Sequence, residues 1–376
     1  RPRPLGADVQ MPATVILSDT LRSPEMRREL PLAMVDPAIY IESGGERKAW
    51  VTGFELERVA GVSDLHSVGL EELGLDELTA QGMSHQDAIH KVAIVRACES
   101  MGVTDAVVPR GFPLEAAEAM IAAGISVHAD GAEFDRRRRA KTPDQVAGIR
   151  RAQRACESAM EAVRAVLRRD SPTSEDLHAA IAHAFIDAGM IPTPAIASHG
   201  PQVASVHDNG SGAILPGESI VVDIFPIDPL SGCYSDMTRT FCVGEPSEEL
   251  LRYHALVAEA LERSTAAAGP GVPCSAVFAA AADVFEQAGF PTLRTKKPEE
   301  VLDRGFLHGL GHGVGLEIHE APYLHLADDP LLPGDVITLE PGCYRPGFGG
   351  CRLEDIALIT EDGCEVLTDY RYDLAP

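Results

Sequence analysis

An internal repeat restricts the fold of the second half of this chain more than any other pattern. The segment TSEDLHAAIAHAFIDAG at 173–189 aligns with PCSAVFAAAADVFEQAG at 273–289, one hundred residues later. Each segment follows a longer stretch with the apolar spacing of an amphipathic helix, at 143–169 and at about 248–267. We therefore expect this half to contain two copies of one structural unit.

The repeat continues into two apolar strands that both end in an acidic residue. LPGESIVVD at 215–223 matches LPGDVITLE at 332–340, and both read as a Pro-Gly turn, an apolar strand and a carboxylate. Similar composition would explain the turns, but not a carboxylate at each strand end, where a half-buried charge without a partner is costly. Four acidic residues occupy equivalent places in the two copies: Asp223 with Glu340, and Asp236 with Glu354.

A histidine-rich and glycine-rich segment, HGLGHGVGLEIHE at 308–320, supplies nitrogen donors between these strands. It is not a zinc-peptidase helix, because His-Glu-x-x-His is absent, and Val314 replaces a glycine that a dinucleotide-binding loop requires. Four ionised carboxylates repel one another when they are crowded together, and a pair of divalent cations removes that difficulty. Mainly oxygen donors with one imidazole favour Mn²⁺, Co²⁺, Fe²⁺ or Zn²⁺ over a thiolate zinc centre.

The first part of the chain predicts a separate, smaller domain. Residues 1 to about 139 alternate short apolar runs with helical patterns, which is typical of an α/β domain. A helix start with a capping box and proline at its first position follows at Thr142-Pro143-Asp144-Gln145. We therefore predict an α/β domain at 1–140 and a second domain at 141–376, an α+β architecture overall.

The amino-acid composition limits the binding partners and the cellular compartment that can be expected for this protein. The net charge of −25 argues against nucleic acid and anionic membranes as partners, and the run Arg136–Arg139 is interpreted as a solvated face or linker. The eight cysteines form no C-x-x-C pair, which indicates buried thiols in a reducing compartment. No secretory signal and no membrane-length apolar stretch is visible, so we expect a cytoplasmic protein.

Four segments together resemble the pita-bread metallopeptidases of peptidase family M24, which include prolidase (Xaa-Pro dipeptidase), aminopeptidase P, methionine aminopeptidase and the related creatinase. The segments that carry the resemblance are VVDIFPIDPLSGCYSDMTRTF at 221–241, HGLGHGVGLEIHE at 308–320, LEPGCY at 339–344 and CRLEDIALIT at 351–360. The resemblance implies that residues 141–376 form a pita-bread catalytic domain whose two duplicated halves are related by a pseudo-two-fold axis. The preceding α/β domain favours the prolidase, aminopeptidase P and creatinase branch, whose members are usually homodimers.

Carried over position by position, the resemblance assigns roles to nine residues. It implies a two-metal site, with manganese expected, whose ligands are Asp223, Asp236, His312, Glu340 and Glu354. It implies catalytic roles for His207, His319 and Glu340, and contacts with substrate for His207, His308, His319 and Arg352. Creatinases lack the full ligand set and work without metal, so the intact set implies a metal enzyme.

The activity that the resemblance implies is hydrolysis of the Xaa-Pro bond of dipeptides or peptide N-termini by a hydroxide held between the two cations. Many relatives carry Asp-x-Gly where this chain has Asp223-Ile224-Phe225, so a bulky side chain lies beside the site and leaves the substrate open. One alternative is a metal-dependent hydrolase or lyase of a small nitrogen- or sulfur-containing metabolite. Another is a catalytically silent binding module, which the intact ligand set disfavours.

Overall fold

The computed structural model describes residues 11–376, which form two compact units with their boundary between Arg138 and Arg139. Among these residues, none of the helices combines the length and the apolar character that crossing a membrane requires. All eight cysteines are free thiols, and seven of them are buried.

The first unit is built on one six-stranded mixed sheet. Its strands are β1 (Ala13–Ser18), β2 (Ala38–Ser43), β3 (Glu46–Val51), β4 (His66–Gly69), β5 (Asp105–Val108) and β6 (Ser126–Ala129). They lie in the order β4-β3-β2-β1-β5-β6, and the pairs β3/β4, β1/β5 and β5/β6 are parallel. Its helices are α1 (Pro24–Glu29), α2 (Leu56–Val59), α3 (Leu75–Ala80), α4 (His85–Asp87), α5 (Ile94–Ser100), α6 (Leu114–Ala122) and α7 (Gly131–Arg139).

The central strand β1 is buried on both faces, as its apolar sequence predicts. Val15 and Leu17 belong to one apolar core and Ile16 to another, because successive side chains of a strand point to opposite faces. Helices cover the two faces, so the expected α/β domain is confirmed.

The interpretation of the basic run as a solvated face is wrong for its last two residues. Arg138 and Arg139 are only 4% and 7% exposed. The Arg139 guanidinium donates to both carboxylate oxygens of Asp335 at 2.9 and 2.6 Å and to Asp329 at 2.9 Å. The acidic partners lie almost 200 residues further along the chain, so local charge density gives no indication of the burial.

The second unit contains two pairs of packed helices, one in each copy of the repeat. They are α8 (Pro143–Leu167) with α9 (Ser174–Asp187), and α10 (Glu248–Ala267) with α11 (Cys274–Gln287). Helix α8 starts at the predicted capping box, in which Thr142 and Gln145 exchange side-chain to backbone hydrogen bonds. Helices α9 and α11 are both 14 residues long and start one hundred residues apart, so the repeat is confirmed.

Each helix pair packs on an antiparallel sheet. The strands are β7 (Ile196–His199), β8 (Ser219–Ile224), β9 (Met237–Cys242), β10 (Gly311–Gly313), β11 (Glu320–Leu324), β12 (Val336–Leu339), β13 (Gly342–Arg345), β14 (Gly349–Arg352), β15 (Asp355–Ile359) and β16 (Cys364–Val366). They form the sheets β7-β8-β9 and β11-β10-β12-β15-β16 and the hairpin β13-β14. Phe185 lies in the core under the first sheet and the matching Phe285 in the core under the second.

Candidate active site

Equivalent places in the two halves supply the four carboxylates. Asp223 lies near the end of β8 and Asp236 directly precedes its partner strand β9. In the other half, Glu340 directly follows β12 and Glu354 directly precedes its partner β15. The repeat therefore brings two acidic residues from each half to one cavity.

His312 reaches these carboxylates from strand β10, where the residues directly before and after it have no space for a side chain. A Cβ atom placed on Gly311 would lie 2.1 Å from the Thr338 carbonyl oxygen, and one on Gly313 would lie 2.4 Å from that of Ala321. Both glycines are therefore required by the close approach of neighbouring strands.

The imidazole of His312 is oriented by its backbone surroundings. Its Nδ1 contacts the Gly313 carbonyl at 3.2 Å, so Nδ1–H donates and Nε2 keeps its lone pair. Nε2 lies 3.5 Å from Glu340 Oε1 and 3.8 Å from Asp236 Oδ2. Burial lowers the pKa of His312 to about 3, so the ring is neutral and can act as a ligand at physiological pH.

The buried carboxylates are not compensated by enough positive charge from the protein. Burial and the neighbouring Glu354 raise the pKa of Asp236 well above its usual value, and burial with Glu340 does the same for Glu354. Burial also raises the pKa of Glu340 to about 8. The arrangement favours a positively charged occupant.

The donor atoms present fit divalent cations. Ligand atoms of Asp236, His312 and Glu354 all lie within 4.8 Å of one another. Asp223 Oδ1 and Asp236 Oδ1 are buried without a hydrogen-bond partner, which is rare for a carboxylate unless a cation binds it. Buried carboxylate oxygens with one neutral imidazole are a donor set for Mn²⁺, Co²⁺, Fe²⁺ or Zn²⁺.

Two neighbouring side chains orient the acidic residues. Arg352 donates to Asp223 Oδ2 at 2.7 Å and to the hydroxyl of Tyr344 at 3.1 Å. Thr238 donates its hydroxyl proton to Glu354 Oε2 at 2.7 Å. Both contacts leave other carboxylate oxygens available to a cation.

All nine residues singled out in the sequence line one cavity of about 450 Å³. They are Asp223, Asp236, His312, Glu340, Glu354, His207, His308, His319 and Arg352. Apolar side chains, among them Ile196 and Phe225, form part of the same wall. A cavity of this size is within the range that takes a small organic ligand.

The remaining histidines of the cavity differ in their surroundings. His308 donates from Nδ1 to the Gly309 carbonyl at 2.7 Å and accepts the Tyr344 hydroxyl at Nε2 at 3.0 Å. Burial lowers the pKa of His308 to about 3, in agreement with this neutral form. His319 packs edge-on against His312 with ring centroids 4.2 Å apart, and His207 lies on an exposed loop at the rim.

Sequence reasoning did not single out Tyr344 and Thr238. Tyr344 is fully buried, and its hydroxyl joins His308 to Arg352. Thr238 follows Asp236 by two residues, and this spacing would have indicated a side chain on the same face as Asp236. For Tyr344 no comparable signal exists, because its partners come from other parts of the chain.

A family model, metallopeptidase family M24, matches residues 147–361, which is more than half of the chain. The chain belongs to metallopeptidase family M24. The matched region contains all nine of the cavity residues named above. Membership confirms the family expected from the four sequence segments.

Curated M24 relatives match part of the chain. A probable dipeptidase PepE of Mycobacterium tuberculosis is 36% identical over 206 residues, which is 54% of this chain and 51% of that protein. An Xaa-Pro dipeptidase of Pyrococcus furiosus is 38% identical over 159 residues, 42% of each chain. The chain thus spans about half the length, or less, of these relatives.

Solved structures of M24 proteins match nearly the whole chain. An X-Pro aminopeptidase from Thermotoga maritima has a TM-score of 0.78 at 22% identity, with 96% of each chain covered. A prolidase from Pyrococcus furiosus has a TM-score of 0.76 at 24% identity, again with 96% of each chain covered. At this identity the likeness is one of fold, and it confirms the pita-bread fold preceded by a smaller domain.

Proposed function

We propose that this M24 protein is an exopeptidase that hydrolyses the bond between an N-terminal residue and proline, using two divalent metal ions. The observation that carries the proposal is the convergence of four carboxylates and His312 on one cavity, with two buried carboxylate oxygens left without partners. In a binding module without metal, Arg352 would be left to compensate four buried carboxylates.

In this proposal the two ions are held by the five donors expected from the sequence, with manganese as the expected metal. The ligands are Asp223, Asp236, His312, Glu340 and Glu354. Bound there, two divalent ions would supply Lewis acidity and a water acidic enough to ionise near neutral pH.

Residues of the chain itself hold and move protons around this centre. Glu340, a buried carboxylate that lines the cavity, is assigned the acceptance of a proton from the attacking water and its return to the leaving amine. His207 and His319 line the same cavity and are assigned the donation of hydrogen bonds to the oxygen on which negative charge develops.

Arg352 has a supporting role in the proposal. Its hydrogen bonds go to Asp223, to Tyr344, to Thr238 and to the Val206 carbonyl. The hydrogen bond to Asp223 assigns Arg352 to holding that carboxylate in place, in addition to the contact with substrate expected from the sequence. His308, with both ring nitrogens bonded to protein atoms, is assigned to holding Tyr344.

A small peptide is the substrate that this combination favours. The cavity of about 450 Å³ joins the carboxylate cluster to apolar side chains, which suits a dipeptide or the first residues of a longer peptide. The Xaa-Pro dipeptidase of Pyrococcus furiosus, at 38% identity over its matched region, points to proline after the cleaved bond.

Metal content and turnover of a substrate panel test the proposal. Protein loaded with Mn²⁺ should retain about two ions per chain by mass spectrometry and should hydrolyse Ala-Pro or Ala-Pro-Ala. Asp236→Ala should lose both properties, whereas Glu361→Ala, at an exposed turn, should keep both. Metal-loaded protein that cleaves no Xaa-Pro peptide would contradict the substrate assignment, and normal metal content in Asp236→Ala would contradict the ligand assignment.

A further inference from the structure

Among the apolar side chains that line the cavity, Phe225 is the one nearest in sequence to a carboxylate of the centre, Asp223. It follows Asp223 by two residues, directly after β8 ends at Ile224. Side chains two positions apart along an extended chain lie on the same face. The ring therefore stands beside the carboxylate.

A second apolar side chain flanks Asp223 from the neighbouring strand. Ile196 of β7 is the register partner of Asp223, so the two side chains lie side by side on one face of the sheet. Ile196 also lines the cavity. Asp223 is thus bordered by an apolar wall made of Ile196 and Phe225.

The segment that carries Phe225 is held by hydrogen bonds on both sides. Thr193 donates its hydroxyl proton to the Phe225 carbonyl at 2.8 Å. Two residues on, Ile227 and Ile191 exchange backbone hydrogen bonds at 2.9 and 3.1 Å.

The turn beyond this point is anchored as well. Buried Asp228 accepts both hydrogen bonds of the Arg151 guanidinium, at 2.9 and 2.8 Å. Because both ends of the segment are tied to the fold, the phenyl ring cannot retreat by a backbone shift when a substrate enters.

Asp223 is a suitable place for the amino end of a substrate. Its side chain is 15% exposed, against 6% for Asp236 and 18% for Glu340, and Asp223 is the carboxylate that has Ile196 and Phe225 beside it. A peptide whose free amino group approaches this carboxylate would place its first side chain against Ile196 and Phe225.

We propose that Phe225, with Ile196, is a specificity-determining wall that restricts the N-terminal residue of the substrate to small side chains such as those of glycine, alanine and serine. The inference rests on the proposed exopeptidase function and adds the substrate class. Larger first residues such as leucine then collide with the ring, whose backbone the fold holds in place.

The test compares kcat/KM for Ala-Pro and Leu-Pro in the full-length Mn²⁺-loaded protein and its variants. Phe225→Ala should raise the Leu-Pro to Ala-Pro ratio about 10-fold or more, the scale of discrimination that one or two methylenes produce in an apolar pocket. Phe225→Trp should lower the ratio further. Phe54→Ala, an equal truncation at a 77% exposed site outside the cavity lining, should leave the ratio unchanged.

A ratio that changes less than twofold in both Phe225 variants would overturn the inference, even when Ala-Pro is hydrolysed and the proposed function holds. Equal gains for Ala-Pro and Leu-Pro would overturn it too, because the ring would then not select by size. Since the ratio is internal to each variant, partial loss of folded protein does not affect it.

Absence of turnover in the parent protein would instead refute the proposed function. In that case the wall is tested by calorimetric binding of L-alanine and L-leucine to the parent and to Phe225→Ala. A selective gain for leucine supports the wall, and unchanged relative affinities overturn it.

Discussion

A buried ion pair between Lys141 and Glu320, the residue after His319, tests how much a buried charge pair affects the free energy of unfolding of this protein. Lys141 Nζ lies 2.6 Å from Glu320 Oε1, and the two side chains are only 1% and 2% exposed. Glu320 directly follows His319 in the chain and begins strand β11. We predict that Lys141→Met, which keeps most of the side-chain volume but removes the charge, strongly destabilises the fold.

The size of the expected loss of stability follows from what happens to the charge of Glu320 when Lys141 is replaced. Removal of Lys141 takes away the cation that lies 2.6 Å from the buried Glu320 carboxylate, and breaking a buried pair in this way costs about 3–5 kcal/mol. Replacement of both partners by apolar side chains removes the desolvation penalty together with the attraction. The double variant Lys141→Met/Glu320→Met should therefore return to within about 2 kcal/mol of the parent protein.

Urea unfolding followed by far-ultraviolet circular dichroism measures these differences, on metal-free protein so that metal affinity does not enter. Lys91→Met is a matched control, because Lys91 and Asp87 lie 2.5 Å apart but are 49% and 40% exposed. Its unfolding midpoint should hardly move, since exposed pairs contribute little. The reasoning is refuted if Lys141→Met behaves like Lys91→Met, or if the double variant loses as much stability as its two single variants added together.

Two further predictions concern the metal centre. Thr238→Val removes the hydrogen bond donated to Glu354 and should weaken Mn²⁺ binding about 10- to 100-fold in a chelator competition titration. Thr238→Ser keeps the hydroxyl and should bind Mn²⁺ normally. Equal Mn²⁺ affinities in the two variants would contradict this role of Thr238. In metal-free protein, burial raises the pKa values of Asp236, Glu340 and Glu354, so the folded state holds protons that the unfolded chain has released. The lowered pKa values of His308 and His312 act in the opposite sense below about pH 6.5, where the unfolded chain binds the extra protons. Stability should therefore fall as pH rises from about 6.5 to about 8, by up to about 1.4 kcal/mol per pH unit for each proton held, and a thermal midpoint that rises over this range in EDTA would contradict the prediction.

The duplicated architecture and the four acidic residues of the site were accessible from sequence, because they repeat at similar spacing, whereas the histidines and Arg352 were assigned by the resemblance to family M24. The match of 173–189 with 273–289 predicts helices α9 and α11, and the two Pro-Gly turns locate the strands that carry Asp223 and Glu340. The spacing of apolar residues that marks a helix or a strand is a local property of the chain, so it can be recognised without knowledge of the packing. The capping box at Thr142 is equally local, and helix α8 begins there.

What the residues around the site do depends on partners that are distant in the chain. Arg139 belongs to a run of four arginines that the sequence suggests is solvated, yet it is buried and donates two hydrogen bonds to Asp335. Tyr344 carries no signal in the sequence, yet its hydroxyl connects His308 to Arg352.

The sequence of this chain therefore specifies the repeated units, their order and the acidic residues at their strand ends. The protonation state of His312, the wall beside Asp223 and the pair of Lys141 with Glu320 arise only when the sheets pack. The physical reason is that periodicity reports which face of a helix or strand is buried. Hydrogen bonds and desolvation depend on which atoms of another segment lie against that face.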